Sequence, residues 1–260
     1  MLFRACVLGI TMLVMLQVPA PVHAQESDAL REIEQLGASL HQIDRAVRVA
    51  AREGEKSRAF RRDERVQGWV ADIRSDAISI VFVGVDGGVP VGLYRIAMDR
   101  SGRVMQALER IDPAPLQGHL AMQYSIGRKA EGVERMQCAN EIETLVLPDA
   151  EGWRAYVLPR AAFPDVYLLG GSYRVELSSS GDAVTGVQAL ASECVILQNK
   201  PTSGALLFAE DRATLPNELH VYISQQAGKP LYVTTTPNGR TWLIQEGRIH
   251  PVTGIPASAG

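Results

Sequence analysis

The 260-residue sequence lacks a strong charge of either sign, since 26 Lys and Arg residues oppose 29 Asp and Glu residues for a net charge of −3 at pH 7. So small a charge predicts no long-range attraction to nucleic acid or to an anionic membrane. The composition, 46% hydrophobic and 21% charged, is that of a globular protein. Extensive disorder, a collagen-like structure and a polytopic membrane protein are therefore excluded.

Motifs that hold metals, phosphates or catalytic nucleophiles are also absent. The sequence contains no Cys-x-x-Cys, no histidine pair at metal-ligand spacing, no Gly-x-Ser-x-Gly, no Ser-x-x-Lys and no phosphate loop. The turn Gly170-Gly171-Ser172 leads into an alternating strand pattern, whereas a nucleophile turn leads into a helix. The sequence therefore predicts no cofactor, no metal and no catalytic residue, and it favours a protein without enzymatic activity.

The first 24 residues have the pattern of a secretory signal peptide. Arg4 precedes an uncharged run from Ala5 to Leu16, and Val22-His23-Ala24 offers small residues at the two positions that a signal peptidase reads. The run is too short for a membrane-spanning helix. Cleavage near Ala24 would give a periplasmic or secreted chain with no integral membrane segment. The alternative is an N-terminal anchor that stays uncleaved.

Two cysteines remain after this cleavage, Cys138 and Cys194. In an oxidising compartment an even pair favours a disulfide bond, and this bond would close a loop of roughly 57 residues. Two buried thiols are the alternative.

Hydrophobic periodicity predicts an α+β fold, with an N-terminal helix and a central helix packed on antiparallel β-meanders. The helices are expected from Ser27 to Arg52 and from Leu116 to Met136, and most of the remaining segments alternate as strands do. Pro and Gly turns divide the chain into residues 25–112, residues 113–250 and a flexible tail, 251–260.

One short segment repeats after 79 residues. Gly92-Leu93-Tyr94-Arg95-Ile96-Ala97-Met98 resembles Gly171-Ser172-Tyr173-Arg174-Val175-Glu176-Leu177. Either two ordinary hairpins resemble each other by chance, or the chain contains two duplicated helix-plus-sheet units.

Two groups of residues are candidates for contact with a partner. Arg58, Arg61, Arg62 and Arg65 could meet an acidic surface, although a salt-bridged helix surface has the same pattern. Glu218 to Ser224 is interpreted as a strand whose polar face carries His220 and Tyr222. A solvated sheet face is the alternative there.

The run Thr144-Leu145-Val146-Leu147-Pro148, the segment Gly170-Gly171-Ser172-Tyr173-Arg174 and Ser192-Glu193-Cys194 resemble secreted proteins of Gram-negative bacteria that carry no assigned activity. The resemblance covers the second half of the chain and implies a periplasmic location, but no catalytic residue.

Together these features predict an exported, non-enzymatic protein that binds another envelope or secreted protein. One form is an inhibitor, or an immunity protein that neutralises an envelope-targeting toxin. One alternative is an envelope hydrolase with a site assembled in space around His119 or His220. The other is a carrier of a small molecule or lipid, which requires a roomy apolar pocket. The oligomeric state is left open.

Overall fold

A computed structural model describes residues 22–253 of the chain. The predicted signal peptide lies almost entirely outside these residues, as does the tail from residue 254 onward. The described part begins with a long helix, α1 (Val22–Lys56), and a single turn, α2 (Arg58–Arg61). The structure is an α+β fold with an N-terminal and a central helix, as the sequence predicts.

The first sheet is an antiparallel meander that follows the two N-terminal helices. It contains β1 (Gly68–Ile73), β2 (Ala77–Asp86), β3 (Val89–Asp99) and β4 (Val104–Pro115), in that order. The sequence pattern predicts a strand from Arg103 to Glu109, but β4 continues through Pro113 to Pro115. An edge strand tolerates proline because one side of its backbone needs no ladder hydrogen bond.

The central helix leads into a second antiparallel sheet. After α3 (Gly118–Glu131), the sheet has the order β5-β6-β8-β9. A small ribbon, β7 paired with β10, lies beside it. The strands are β5 (Ile142–Pro148), β6 (Gly152–Pro159), β7 (Val166–Leu168), β8 (Tyr173–Ser178), β9 (Val184–Ala189) and β10 (Ile196–Gln198).

The sequence pattern from Val166 to Leu177 predicts one continuous strand. This prediction is wrong, because a turn separates β7 from β8. Gly171 in this turn has a φ of +78°. A Cβ atom on Gly170 would lie 1.9 Å from the carbonyl oxygen of Glu193, so the backbone approach requires glycine.

The third sheet contains the only parallel pair among the described strands. It has the order β11 (Leu206–Glu210), β12 (Leu231–Thr235), β13 (Arg240–Gln245) and β14 (Arg248–Val252). The parallel strands β11 and β12 are joined through α4 (Glu218–Ala227). β14 also extends into the segment 251–260 that the sequence analysis assigned to a flexible tail.

The prediction of a strand from Glu218 to Ser224 is wrong, since these residues form most of α4. Asn217 caps the helix N-terminus, and Gly228 ends it in the left-handed conformation with a φ of 62°. Every residue from Glu218 to Ser224 is buried, because α4 packs between α1 and the third sheet. The polar residues therefore do not mark an exposed face, and the short alternation could not distinguish a strand from a fully buried helix.

Helix α1 docks on the body of the protein. Leu40, Ile43 and Val47 are buried in the main core, between the first sheet and α4. The contact with α4 is close, because a Cβ atom on Gly37 would lie 2.5 Å from Cβ of Val221.

The last sheet also contacts the first helix through charged groups. Arg240 makes a bidentate ion pair with Glu26, with N–O distances of 2.8 and 2.9 Å. The backbone N–H of Ile249 donates to Oε1 of Glu34 at 2.7 Å. The two ends of the described chain are therefore packed together.

The repeated segment has the same position in two sheets. Residues 92–98 lie on β3, and residues 171–177 lead into and occupy β8. Each strand is third in a four-stranded antiparallel sheet. Both hypotheses for the repeat, chance likeness and duplication, predict hairpins of this kind.

Candidate functional site

The arginines selected from the sequence lie on or just after α2. Arg58, Arg61, Arg62 and Arg65 are all exposed. Arg65 pairs with Asp63 through its Nε and Nη2 atoms at 2.7 and 2.6 Å, and Arg61 donates to the carbonyl oxygen of Glu55 at 3.0 Å. Two of the four therefore have local partners, and among these contacts only that of Arg65 with Asp63 is an ion pair. None of the four lines the clefts described below.

His220 and Tyr222 do not share an exposed polar face, because both are buried on α4. The Nδ1 atom of His220 accepts a hydrogen bond of 3.0 Å from the backbone N–H of Asn217 and so closes a capping box. Burial lowers the pKa of His220 to about 3, so its ring is neutral. Its other nitrogen, Nε2, is 3.7 Å from Oε2 of Glu210, too far for a hydrogen bond. His220 therefore has a structural role.

His119, the second histidine considered for a hydrolase, lies 3.1 Å from Oδ1 of Asp72. Its side chain is 56% exposed, and neither residue lines the clefts described below. The structure therefore places neither histidine of the hydrolase hypothesis beside a carboxylate inside these clefts.

Tyr222, in contrast, lines a surface cleft of about 290 Å³ between α1, α4 and the segment that follows β6. Asp44 of α1 lines this cleft, where it pairs with Arg48, and the nearby Tyr222 hydroxyl favours its charged form. The Tyr222 hydroxyl donates to the Gln226 amide oxygen at 3.2 Å. Burial raises the pKa of Asp44, and Arg48 opposes this change. The Gln226 amide oxygen, in the orientation that satisfies both amide atoms, accepts from both terminal nitrogens of Arg48 at 2.8 Å.

Glu143 of β5 completes a buried carboxyl pair with Asp44. The pKa of Glu143 is raised to about 7. Burial is the larger cause, and the negative charge of Asp44 is the second. As a carboxylate, Glu143 leaves Oε1 without a hydrogen-bond partner in the described part of the chain. When Glu143 is protonated, a hydrogen bond joins it to Asp44. The two neighbouring carboxyl groups therefore bind a shared proton at a higher pH than isolated carboxyl groups would.

The mouth of this cleft carries an exposed aromatic residue. Phe163 is 70% exposed and lies between Arg160 and Tyr167, all three of which line the cleft. Two backbone hydrogen bonds flank this segment and constrain it. The N–H of Arg160 donates to the Glu141 carbonyl at 2.9 Å, and the Val166 N–H donates to the Phe163 carbonyl at 3.3 Å. Phe163 is thus presented to solvent on a constrained turn.

A second cleft, of about 200 Å³, adjoins the first and shares Glu143 and Arg160 with it. One side is β1 and the other is β5, and residues of α3 such as Gln123 and Gly127 line it between them. The Oε1 atom of Gln123 accepts a hydrogen bond of 3.2 Å from the backbone N–H of Ala71. The hydroxyl oxygen of Thr144 is buried and has no hydrogen-bond partner among residues 22–253.

The disulfide bond predicted between Cys138 and Cys194 is present. It joins the connection between α3 and β5 to the segment between β9 and β10. The bond therefore ties the second sheet to the ribbon that carries Tyr167 at the first cleft.

The sequence analysis did not identify Asp44 and Glu143, although both carry a signal. Asp44 follows Leu40 and Ile43 and precedes Val47 on the apolar stripe of α1, where a carboxylate is unexpected. Glu143 lies on the same face of β5 as the buried residues Leu145 and Leu147. A carboxylate at an apolar position of a helix or strand is rarely fully buried unless it is paired.

Among residues 22–253, no group of three or more His, Cys, Asp and Glu side chains could hold a metal ion. No helix in the same range is long and apolar enough to cross a membrane.

Comparisons with known proteins add no family to this description. No family model, no curated protein and no solved structure matches the chain.

Proposed function

We propose that the chain is exported, loses its first 24 residues, and acts in the periplasm by binding another protein rather than by catalysis. An inhibitor, or an immunity protein that neutralises an envelope-targeting toxin, is the specific form that we favour. The observation that carries the proposal is the constrained, 70% exposed side chain of Phe163 at the mouth of the 290 Å³ cleft.

The chemistry of this surface supports protein binding. Aromatic and arginine side chains supply most of the binding energy at protein interfaces, and Phe163 stands beside the exposed Arg160. A rigid backbone lowers the entropy that is lost on binding, and the turn is held at both ends by backbone hydrogen bonds. Export is supported by the leader-like N-terminal sequence and by the disulfide between Cys138 and Cys194.

The acidic pair supports binding better than hydrolysis. Asp44 is engaged by Arg48 and the Tyr222 hydroxyl. No histidine, cysteine or lysine lines this cleft. Ser172 does line it, but its buried Oγ has no hydrogen-bond partner among residues 22–253, so no base is in place to activate it. The hydrolase and carrier hypotheses remain alternatives without a supporting observation.

The test is affinity capture from a periplasmic extract with the tagged mature chain and two variants. We expect the wild-type chain to recover one protein in stoichiometric amount. Phe163→Ala should reduce this recovery at least tenfold, because a central aromatic anchor contributes about 2 kcal/mol or more. Met105→Ala on β4 is the matched control, since Met105 is 62% exposed but lies outside both clefts.

The proposal fails if no stoichiometric partner is recovered. It also fails if Phe163→Ala and Met105→Ala recover the partner equally well. Mass spectrometry of exported protein that begins at Met1 would contradict the cleavage.

A further inference from the structure

The cleft between β1 and β5 separates two strands that each end a sheet. β1 is the outer strand of the first sheet, and β5 is the outer strand of the second. An edge strand carries a row of backbone N–H and C=O groups that no neighbouring strand satisfies. Here two such rows border one cleft, which α3 lines between them.

The hydrogen bonds identify which backbone groups of β1 point into the cleft. The N–H of Ala71 points away from β2, because it donates to the side chain of Gln123 on α3. Successive residues of a strand alternate in direction, so the backbone groups of Trp69 and Ile73 point the same way as those of Ala71. Gln123 therefore occupies a position where a neighbouring strand would offer a carbonyl oxygen.

The same reasoning applies to β5. The Arg160 N–H donates to the carbonyl of Glu141, so Glu141 faces β6 and, by alternation, so does Glu143. The backbone groups of Thr144 and Val146 then point away from β6, towards the cleft. The buried, unpartnered hydroxyl of Thr144 adds a further polar group on this side.

From this arrangement we propose that the cleft receives one extended segment of the partner protein, which pairs with β1 on one side and with β5 on the other. The inserted strand would join the first and second sheets into one. This mode of recognition takes its affinity from main-chain hydrogen bonds, and its selectivity from pockets for alternate side chains. The proposal rests on the proposed function, since it specifies how the partner is recognised.

The adjoining 290 Å³ cleft provides such a side-chain pocket. Glu143 and Arg160 line both clefts, so a side chain of the inserted segment can reach Phe163 and Tyr167. Gly127 of α3 lines the cleft next to β5. A Cβ atom at Gly127 would lie 3.7 Å from Cγ2 of Val146 and 3.8 Å from Cγ2 of Thr144, so a larger side chain there would extend against the edge of β5.

The probe is a phage-displayed library of random linear peptides, selected on the wild-type chain and measured as synthetic peptides by titration. Gly127→Leu places a side chain in the cleft against β5, and replacing glycine inside a helix favours the helix. A thermal unfolding curve of the variant establishes that it is folded before its affinity is compared. We expect the variant to weaken peptide binding at least tenfold. Ser125→Leu, on an exposed part of the same helix outside the cleft, is the matched control and should leave the affinity unchanged.

A second variant should act in the opposite direction. Gln123→Ala removes the acceptor that satisfies the Ala71 N–H in the free protein, so a bound strand no longer has to displace it. We expect about tenfold tighter peptide binding, because the binding event then satisfies a group that is otherwise unpaired. A loss of fold alone would not produce this gain.

Amide hydrogen exchange gives an independent readout. Bound peptide should slow exchange at the N–H groups of Ala71 and Thr144, on the two facing edges. The inference is overturned if no peptide is enriched on the wild-type chain over Gly127→Leu, if Gly127→Leu or Gln123→Ala leaves affinity unchanged, or if the protected amides lie on other strands. If capture of the natural partner survives Gly127→Leu but not Phe163→Ala, this inference fails and the proposed function stands.

Discussion

Two polar clusters lie on opposite sides of α4, one around His220 and one around Tyr222, and their surroundings differ. His220 itself is fully buried and faces Glu210 and the ring of Phe208, whereas Tyr222 lines an open cleft together with Asp44 and Glu143. The two α4 residues are only two positions apart in the sequence. Helical geometry, rather than residue type, decides that one has a structural role and the other lines the candidate site.

The two clusters also respond to pH with opposite signs. Burial lowers the pKa of His220 to about 3, so the folded state binds fewer protons there, and stability is lost as pH falls below about 6.5. Burial raises the pKa of Glu143 to about 7, so the folded state binds more protons there, and stability is lost as pH rises above about 4.5. Between these limits the two contributions partly cancel.

The largest expected effect on stability comes from removing the disulfide bond, which ties the second sheet to the ribbon beside the open cleft. Replacing Cys138 and Cys194 together by Ser should lower the free energy of unfolding by about 4 kcal/mol, since the bond spans a sequence separation of 56 residues. Chemical denaturation measures the loss. Hydrogen exchange should increase near Tyr167 more than around His220, and equal increases would contradict the assignment of the bond to the cleft side.

The next largest effect should come from His220→Ala. This change removes the acceptor of the capping box and leaves a cavity, so we expect a loss of about 3 kcal/mol in unfolding free energy. His250→Ala, at an exposed residue, is the control and should stay within about 0.5 kcal/mol of the wild type. Capture of the partner should not change, and a selective loss of capture in a folded His220→Ala protein would refute the structural role.

Glu143→Gln should separate the two pH responses. Relative to this variant, the wild type should lose up to about 1.4 kcal/mol of stability for each pH unit between about 4.5 and 7. The variant keeps the response of His220, so its own stability should rise with pH over part of this range. Denaturation curves at four or five pH values test this, and parallel profiles would show that Glu143 titrates normally.

The smallest effect is expected for Tyr222→Phe. Loss of the hydroxyl, which donates to the Gln226 amide oxygen at 3.2 Å and favours the charged form of Asp44, should cost about 1 kcal/mol, the usual net contribution of one hydrogen bond. Tyr232→Phe on β12 is the control, because no hydrogen bond of that hydroxyl is found in the described chain, and its change should be near zero. Equal changes in the two variants would remove the proposed link between Tyr222 and Asp44.

The sequence was sufficient for features that depend on local pattern or on a unique pairing. The apolar stripe of α1 predicted a helix with a buried face, and two cysteines in the predicted mature chain could form only one internal bond. The sequence was insufficient for α4, because its alternation of Leu219, Val221 and Ile223 fits a strand as well as a helix buried on all sides.

The clefts could not be predicted for a different reason. Each cleft joins elements far apart in the chain, such as Asp44 with Glu143, or β1 with β5. Which strands end a sheet depends on the strand order, and no local pattern in Trp69 or Thr144 encodes that order. Only the carboxylates at apolar positions gave a signal that sequence reasoning could have used.

The ion pairs of Arg240 with Glu26 and of Arg248 with Glu34 have a consequence for the order of events during biosynthesis. The first helix to leave the ribosome finds these partners only after more than two hundred further residues have been made. Nascent chains of intermediate length therefore lack these two ion pairs, and α1 can then pack only on the first sheet and on the other elements already made. The final docking of α1 waits for the strands that are synthesised last.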